Sequence, residues 1–329
     1  MPATATAPEV ALSYPAVVAA GEVVAARLAP TPLVAHPLLD RVLAGTVDRP
    51  VLVKHEHVLP TGSFKVRGGI HLAARLSDEE RERGLVTCST GNHAQSVAYA
   101  AQLAGSHATI VMPECAPAVK REAVAALGAT VVVEGAGLGD AAAHARSLAQ
   151  GAGGASYVDT TDPRITLGHA TLYLELFREA PDLAAVYVPI GSGTGAVGAC
   201  LVRDEIAPDC RVVGVQSTAA PAVWRSWRSG EIQHAPSSTR ASGLATTNGY
   251  PNTLPVLRDR LDDFVLVTDD QIDAAARLLA THAHTLAEGA GAAALAGLLA
   301  HPSRLAGGPV GVPCTGGNAS AEEIARLAG

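Results

Sequence analysis

The sequence is poor in charged and in aromatic residues. Of its 329 residues, 17% are charged and 3% are aromatic, whereas 48% are hydrophobic and 33 are glycine. This composition excludes an intrinsically disordered chain, and the length predicts one large or two interleaved globular domains. The net charge of −7 and the lack of Lys/Arg clusters argue against nucleic acid or an anionic membrane as a partner.

Cysteine is scarce, and long hydrophobic runs are missing. The five cysteines form no C-x-x-C pair, so the sequence predicts neither a disulfide framework nor a zinc site, and a cytoplasmic location is expected. They are Cys88, Cys115, Cys200, Cys210 and Cys314. The N-terminus has no basic leader, and the uncharged run 289–303 is too short to span a bilayer. We therefore expect a soluble, unprocessed protein.

The sequence does contain short apolar runs that alternate with Ala-rich segments of helical length. The runs are unbroken and β-branched, which is typical of strands buried on both faces, so the alternation predicts an α/β fold with parallel sheets covered by helices. The predicted strands are 51–55, 85–89, 108–112, 130–134, 185–190, 211–216, 264–268 and 309–314. The predicted helices are 16–28, 69–76, 94–103, 117–127, 139–150, 167–179, 195–206 and 270–284.

The segment 61–68, which reads TGSFKVRG, joins a predicted strand to a predicted helix. This order places Lys65 near the start of that helix. The partial positive charge of a helix N-terminus disfavours an ammonium and lowers the lysine pKa, which favours a nucleophilic amine. A solvated surface lysine is the alternative interpretation.

Three predicted strands end in glycine-containing loops that precede helices. They are residues 88–93 (CSTGNH), 190–195 (IGSGTG) and 314–318 (CTGGN). In such folds ligands bind beyond the carboxyl ends of the strands, where loop N–H groups bind anions. The middle loop is the best candidate for a phosphate, although tight turns also require glycine. Ser320 and Glu323 form a capping box that fixes the start of the last helix.

The middle loop also fits the dinucleotide-binding pattern G-x-G-x-x-G, at Gly193, Gly195 and Gly198. That pattern requires an acidic residue about twenty positions later to bind the ribose. The next predicted strand ends in Gln216 instead. We therefore disfavour a dehydrogenase.

Six motifs, in the same order, resemble those of the fold-type II pyridoxal-phosphate (PLP) enzymes, specifically the serine/threonine dehydratase and serine racemase group. They are SFKVRG at 63–68, TGNHAQ at 90–95, the loop 191–195, GLA at 243–245, EGAGAA at 288–293 and TGGN at 315–318. The resemblance implies two parallel-sheet αβα domains, as in the β subunit of tryptophan synthase. Residues 1–83 and 162–329 would form the large PLP-binding domain, and residues 84–161 a smaller mobile domain.

The resemblance also implies roles for individual residues. Lys65 would bond covalently to PLP and then remove the substrate α-proton. Asn92 would bind the pyridine hydroxyl and Thr315 the ring nitrogen, where a hydroxyl makes the ring a weaker electron sink than a carboxylate would and so suits β-elimination. The cofactor phosphate would be bound by Gly191, Ser192, Gly193, Thr194 and Gly195. The substrate carboxylate would be held by Ser89, Thr90, Gly91 and His93.

The activity implied is an ammonia-lyase reaction, the β-elimination of a β-hydroxy amino acid such as L-threonine or L-serine to a 2-oxo acid and ammonia. One alternative is a racemase, in which Thr90 would act as the second base. Others are a β-replacement synthase in a specialised biosynthetic pathway and a catalytically idle binding protein. We expect a homodimer without a regulatory domain.

Three departures from the family pattern bear on these expectations. The phosphate loop has hydroxyls at Ser192 and Thr194, where glycine is usual. Gln216 and Ala222 stand where racemase-like members hold a divalent cation with Glu and Asp, so we expect no such metal. The segments 167–171 and 241–243 differ from the usual dehydratase sequence, which leaves the substrate open.

Overall fold

A computed structural model describes residues 11–116, 118–150, 153–302 and 307–328. The strands are β1 (Leu33–Ala35), β2 (Val51–His55), β3 (Leu85–Cys88), β4 (Ala108–Met112), β5 (Thr130–Val133), β6 (Ser156–Tyr157), β7 (Ala185–Pro189), β8 (Arg211–Ser217), β9 (Asp263–Val267) and β10 (Val310–Cys314). The α-helices are α1 (Tyr14–Ala25), α2 (Pro37–Leu43), α3 (Lys65–Arg75), α4 (Asp78–Arg83), α5 (Asn92–Ala104), α6 (Ala118–Ala125), α7 (Leu138–Ala149), α8 (Pro163–Glu179), α9 (Thr194–Ile206), α10 (Ala222–Ser229), α11 (Leu254–Arg260), α12 (Asp269–His282), α13 (Gly289–Ala300) and α14 (Ala321–Leu327).

The predicted strands are all present, each within one residue of its predicted ends. The predicted helices are present with larger shifts, and the predicted start of α6 at Pro117 lies outside the described residues. The capping box is confirmed, since the Ser320 hydroxyl accepts the Glu323 N–H and the Glu323 carboxylate accepts the Ser320 N–H. The sequence patterns missed strands β1 and β6, because a strand of two or three residues gives no apolar run. They also missed several helices, most of them short.

The strands form two sheets. The larger has the order β1-β2-β10-β7-β8-β9 and the smaller the order β5-β4-β3-β6. Neighbouring strands run parallel except β1, which pairs antiparallel with β2. The α/β architecture is thus the one predicted, with an antiparallel edge strand that the alternation of strands and helices does not reveal.

Burial differs between the centre and the edge of the sheets. All five residues of β10 are buried between β2 and β7. In β5 two residues are exposed and two are half-buried, because it is the edge strand of the smaller sheet. The expectation of a strand buried on both faces is therefore wrong for β5.

Hydrophobic clusters pack on both faces of the larger sheet. In β7, Ala185 and Tyr187 belong to the cluster with α12 and α13, whereas Val186 and Val188 belong to the cluster with α8 and α9. Successive residues of a strand point to opposite faces, so helices cover both sides and leave the carboxyl ends of the strands for the loops. Within the part of the chain that the structure describes, no helix has the length and apolar character needed to cross a membrane.

Candidate active site

Lys65 is the first residue of α3, which follows the carboxyl end of β2. The connection is tied to the end of β10, because the Phe64 N–H donates to the Thr315 carbonyl (3.0 Å) and Ser63 forms a β-bridge with Gly316. Burial lowers the pKa of Lys65 to about 8. The direction agrees with the sequence prediction, but desolvation causes the shift rather than the helix terminus.

A buried ion cluster two residues after Lys65 fixes this end of α3. The Arg67 guanidinium donates to Glu56 through Nε (2.6 Å) and Nη2 (2.9 Å), and to Glu175 of α8 through Nη1 (2.7 Å). Lys54 of β2 donates to the same Glu175 (2.8 Å). The cluster therefore joins α3 to β2 and α8, and it sets the position from which Lys65 extends.

One cavity of about 600 Å³ brings Lys65 together with all three glycine loops. The cavity is lined by every residue to which the family resemblance assigned a cofactor or substrate role: Lys65, Ser89, Thr90, Gly91, Asn92, His93, Gly191, Ser192, Gly193, Thr194, Gly195 and Thr315. The side chain at position 65 and the loop more than a hundred residues later thus line the same cavity.

The loop 191–195 leads from β7 into α9. Gly193, just before the helix, has a φ of 90°, a conformation that favours glycine. A Cβ on Gly191 would collide with the Gly243 carbonyl oxygen, so only glycine fits there. The N–H groups of the first helical turn have no acceptor within the helix. The loop therefore presents backbone donors at a helix N-terminus, the arrangement that binds a phosphate.

Asn92 is held by two side chains of the larger sheet's loops. Its amide NH₂ donates to Glu288 (2.5 Å), and its amide oxygen accepts from the Asn318 NH₂ (2.8 Å). Burial raises the pKa of Glu288 to about 7. Thr315 lies beside this group and donates its hydroxyl to the Ala290 carbonyl (3.3 Å). The orientation of Asn92 is thus fixed by protein contacts.

His93 is buried, and its Nε2 lies 3.1 Å from the Thr87 hydroxyl and 3.4 Å from the Val158 carbonyl oxygen. Burial, together with the nearby Lys65, lowers the pKa of His93 to about 4. The imidazole is therefore neutral at physiological pH. These contacts fit a structural histidine, and its predicted part in holding the substrate carboxylate stays a prediction.

Gln216 is not part of this cavity lining. Its amide donates to the Thr246 hydroxyl (3.2 Å) and accepts from the Trp224 N–H (3.0 Å). The side chain that stands in place of a metal-binding glutamate is thus occupied by protein contacts. The expectation that this position binds no cation stays a prediction.

Several cavity residues were not identified from the sequence. Glu288 belongs to the EGAGAA motif at 288–293. It is an acidic residue at the start of an otherwise uncharged segment, and this could have indicated its role. The others come from α7, from the end of β6 and from the loops that follow. They are Leu138, Arg146, Tyr157, Asp159, Thr160, Asn248 and Tyr250. No motif marked them, because their approach to Lys65 depends on how the two sheets pack.

Comparison with known proteins gives one family. Residues 24–316 match the family model described as "Pyridoxal-phosphate dependent enzyme". The chain is 36% identical over 288 residues to an L-threonine ammonia-lyase of Thermotoga maritima, a match that covers 87% of this chain and 71% of the relative. It is 33% identical to an L-threo-3-hydroxyaspartate ammonia-lyase of Saccharomyces cerevisiae, covering 88% and 89% of the two chains. Its structure is similar to that of the processed form of threonine deaminase isoform 2 from Solanum lycopersicum, with a TM-score of 0.87, 28% identity and coverage of 96% and 88%.

Proposed function

Since the chain belongs to the family of pyridoxal-phosphate-dependent enzymes, we propose that it is an ammonia-lyase that catalyses β-elimination of a β-hydroxy amino acid. The products are a 2-oxo acid and ammonia. Relatives named threonine ammonia-lyase and hydroxyaspartate ammonia-lyase support this reaction. The structural observation that carries it is the cavity in which the Lys65 amine and the phosphate-type loop 191–195 lie together.

The residues of the cavity fit PLP. The loop 191–195 would hold the phosphate through N–H groups, since a side chain at Gly191 would collide with Gly243. Asn92 would hold the pyridine hydroxyl, Thr315 would face the ring nitrogen, and Lys65 would hold the aldehyde carbon covalently. Bound there, PLP supplies an electron sink that acidifies the α-hydrogen of an amino acid.

The chain's own groups then perform the proton transfer. The Lys65 amine becomes free when the substrate amine takes its place. Desolvation lowers its pKa to about 8, so roughly a tenth of it is neutral at pH 7, far more than for an ordinary lysine, and this form can take the α-proton at Nζ. Ser89, Thr90 and Gly91 would hold the substrate carboxylate at the start of α5. The Cα–H and Cβ–O bonds break, and the hydroxyl leaves as water. One water then hydrolyses the released enamine to the 2-oxo acid and ammonia, so the reaction consumes no net water.

We also propose that residues 84–161 form a small domain that closes over the substrate, with residues 1–83 and 162–329 as the large domain. Contacts that cross this boundary support a closing interface: Asn92 binds Glu288 and Asn318, and the Lys120 ammonium donates to the Asn318 carbonyl (3.2 Å). Closure would exclude water from the proton-transfer step. A homodimer is proposed as the assembly, and the five free cysteines support a cytoplasmic location.

The test is a screen of L-threonine, L-serine and 3-hydroxyaspartate for 2-oxo acid release by the PLP-loaded protein. We expect release from at least one of them and a loss of roughly 1,000-fold or more in Lys65→Ala, because the base is removed. Borohydride should fix the cofactor on Lys65 in the wild type. Lys120→Ala is the matched control, because it removes a neighbouring lysine and should leave the label on Lys65.

Other results separate the alternatives. Solvent deuterium at Cα of recovered, inverted amino acid would identify a racemase, and turnover that requires an added thiol or amine would identify a β-replacement synthase. Labelled Lys65 without any 2-oxo acid release would contradict elimination and leave the cofactor assignment standing. A protein in which borohydride labels nothing on Lys65 would favour an idle binding protein.

A further inference from the structure

One wall of the cavity is formed by a single face of α7. Leu138, Ala142 and Arg146 line the cavity at intervals of four residues, so they lie on the same side of the helix. Leu138 and Ala142 offer only apolar surface. Arg146 is therefore the residue that places a charge on this wall, about two helical turns from Leu138.

Arg146 has no anionic partner. Its guanidinium carbon lies 5.4 Å from the centre of the Tyr157 ring, which also lines the cavity. No hydrogen bond or ion pair joins Arg146 to another residue in the described parts of the chain. Arg67, Arg164 and Arg203 are less exposed than Arg146, and each is paired with carboxylates. Arg146 is exposed to solvent and also lines the cavity, so its planar set of N–H donors is accessible to a ligand there.

Two acidic residues line the same cavity, Glu288 and Asp159. Glu288 accepts from the Asn92 amide, and the local fold explains Asp159. One of its oxygens accepts both the N–H (2.8 Å) and the hydroxyl (2.7 Å) of Thr161. This is an Asx turn, which shapes the loop between β6 and α8. Asp159 therefore has a structural role in the absence of any ligand, whereas Arg146 contacts the Tyr157 ring but forms no ion pair in the described parts of the chain.

We propose that Arg146 binds a carboxylate on the substrate side chain, so that the preferred substrate is a β-hydroxy amino acid with an acidic side chain, such as 3-hydroxyaspartate. The inference rests on the proposed elimination. The proposed function assigns the α-carboxylate to the loop 89–93, so the arginine on α7 would be available for a second carboxylate. A guanidinium pairs with a carboxylate through two parallel hydrogen bonds, which a methyl or hydroxymethyl group cannot form.

The kinetic test compares 3-hydroxyaspartate with L-threonine in the wild type, Arg146→Met and Arg146→Lys. We expect the wild type to prefer 3-hydroxyaspartate, and Arg146→Met to lose roughly 100-fold in kcat/KM for it, mainly through KM, with a change below about threefold for threonine. Arg146→Lys should recover part of the loss, because it restores the charge without the fork of donors. Arg178→Met, an exposed arginine on α8 away from the cavity, is the matched control.

A binding measurement keeps the test independent of turnover. L-Aspartate and L-2-aminobutyrate differ in having a carboxylate or a methyl group on Cβ, and neither carries a β-hydroxyl. Titration of the PLP-loaded protein, followed by its visible absorbance, should show tighter binding of aspartate, and Arg146→Met should remove that preference.

The outcomes distinguish the role of Arg146 from the proposed reaction. Elimination from threonine with no preference for 3-hydroxyaspartate, or an equal loss on both substrates in Arg146→Met, would overturn the role of Arg146 and leave the elimination intact. Arg146-dependent binding of aspartate without any elimination would overturn the proposed reaction and support the carboxylate site. Equal binding of aspartate and aminobutyrate by the wild type would contradict the carboxylate site directly.

Discussion

The imidazole Nδ1 of His169 lies 3.0 Å from the hydroxyl oxygen of Thr194, and both side chains are buried. Each belongs to a segment in which the sequence departs from the usual dehydratase pattern. The two departures are in contact, because the His169 imidazole of α8 pairs with the Thr194 hydroxyl. That hydroxyl stands where the family usually has glycine. Burial holds the pKa of His169 well below its usual range, so the pair is a neutral hydrogen bond.

Replacing Thr194 by valine should therefore weaken both the fold and the binding of PLP. Thr194→Val keeps the shape but leaves a buried imidazole nitrogen unpaired, at a cost of about 1–3 kcal/mol in the free energy of unfolding. Thr194→Ser keeps the hydroxyl and should retain most of the affinity. Denaturant unfolding and the PLP dissociation constant of the apo protein are the measurements. Equal PLP affinity in the valine and serine variants would show that the hydroxyl does not contribute to the site.

Adding a methyl group to the phosphate-type loop should have different effects at two glycines. In Gly191→Ala the new carbon would collide with the backbone oxygen of Gly243, so the loop must shift, at about 1–3 kcal/mol. In Gly195→Ala the nearest atoms are 3.5 Å or more away, which is an ordinary contact. We expect a clear decrease in the melting temperature for the first variant and little change for the second. A similar decrease in both would mean that the loop geometry is not limiting.

Glu288 should make stability depend on pH. Burial raises its pKa from 4.5 to about 7, so the folded protein binds this proton more tightly than the unfolded chain. The stability that it contributes is present below about pH 4.5 and is lost as pH rises through about 7, and it is of the order of 3 kcal/mol.

Glu288→Gln should remove this dependence. The measurement is the free energy of unfolding of the apo protein at pH 5 and at pH 8, as the difference between wild type and variant. Glu179→Gln, at the exposed end of α8, is the control and should leave the wild-type pH dependence in place. The assignment would be contradicted if the wild-type free energy of unfolding differed between pH 5 and pH 8 and Glu288→Gln did not reduce that difference.

Arg67 should contribute far more to stability than an exposed arginine with a similar ion pair. Arg67→Ala leaves Glu56 buried without its partner, and the expected loss is about 3–5 kcal/mol in the free energy of unfolding. Arg81 pairs with Asp78 on the surface of α4, with 40% of the arginine side chain exposed, and Arg81→Ala should cost less than about 1 kcal/mol. Urea denaturation measures both. Comparable losses would show that the buried cluster adds little to the position of α3.

The sequence predicted the regular elements well wherever the pattern was long. Apolar runs such as those of β2, β8 and β10 were located within one residue, because a buried parallel strand requires an unbroken hydrophobic segment. The edge strand β5 was located correctly but its burial was not, since a sequence does not reveal which strand lies at an edge. The antiparallel pairing of β1 was not predicted either, because a strand of three residues is too short to be recognised from the sequence pattern.

Part of the site was likewise available from the sequence. Lys65 and the loop 191–195 were identified because each lies at a strand-to-helix junction, where the local order of residues already implies its place in the fold. Arg146 and His169 were not assigned roles. A lone charged or polar residue in a helix gives no sign of what its side chain faces, and the partner of each lies in another element.

The sequence by itself determined that this chain is an α/β protein and which lysine and which glycine loop are the candidates for cofactor binding, because motifs of adjacent residues and unbroken hydrophobic runs express those features locally. Only the tertiary structure decided that Glu288 holds Asn92, that His169 contacts Thr194 and that Arg146 faces the cavity. These relations join residues that are distant in the chain, and they are set by how helices pack on the two sheets.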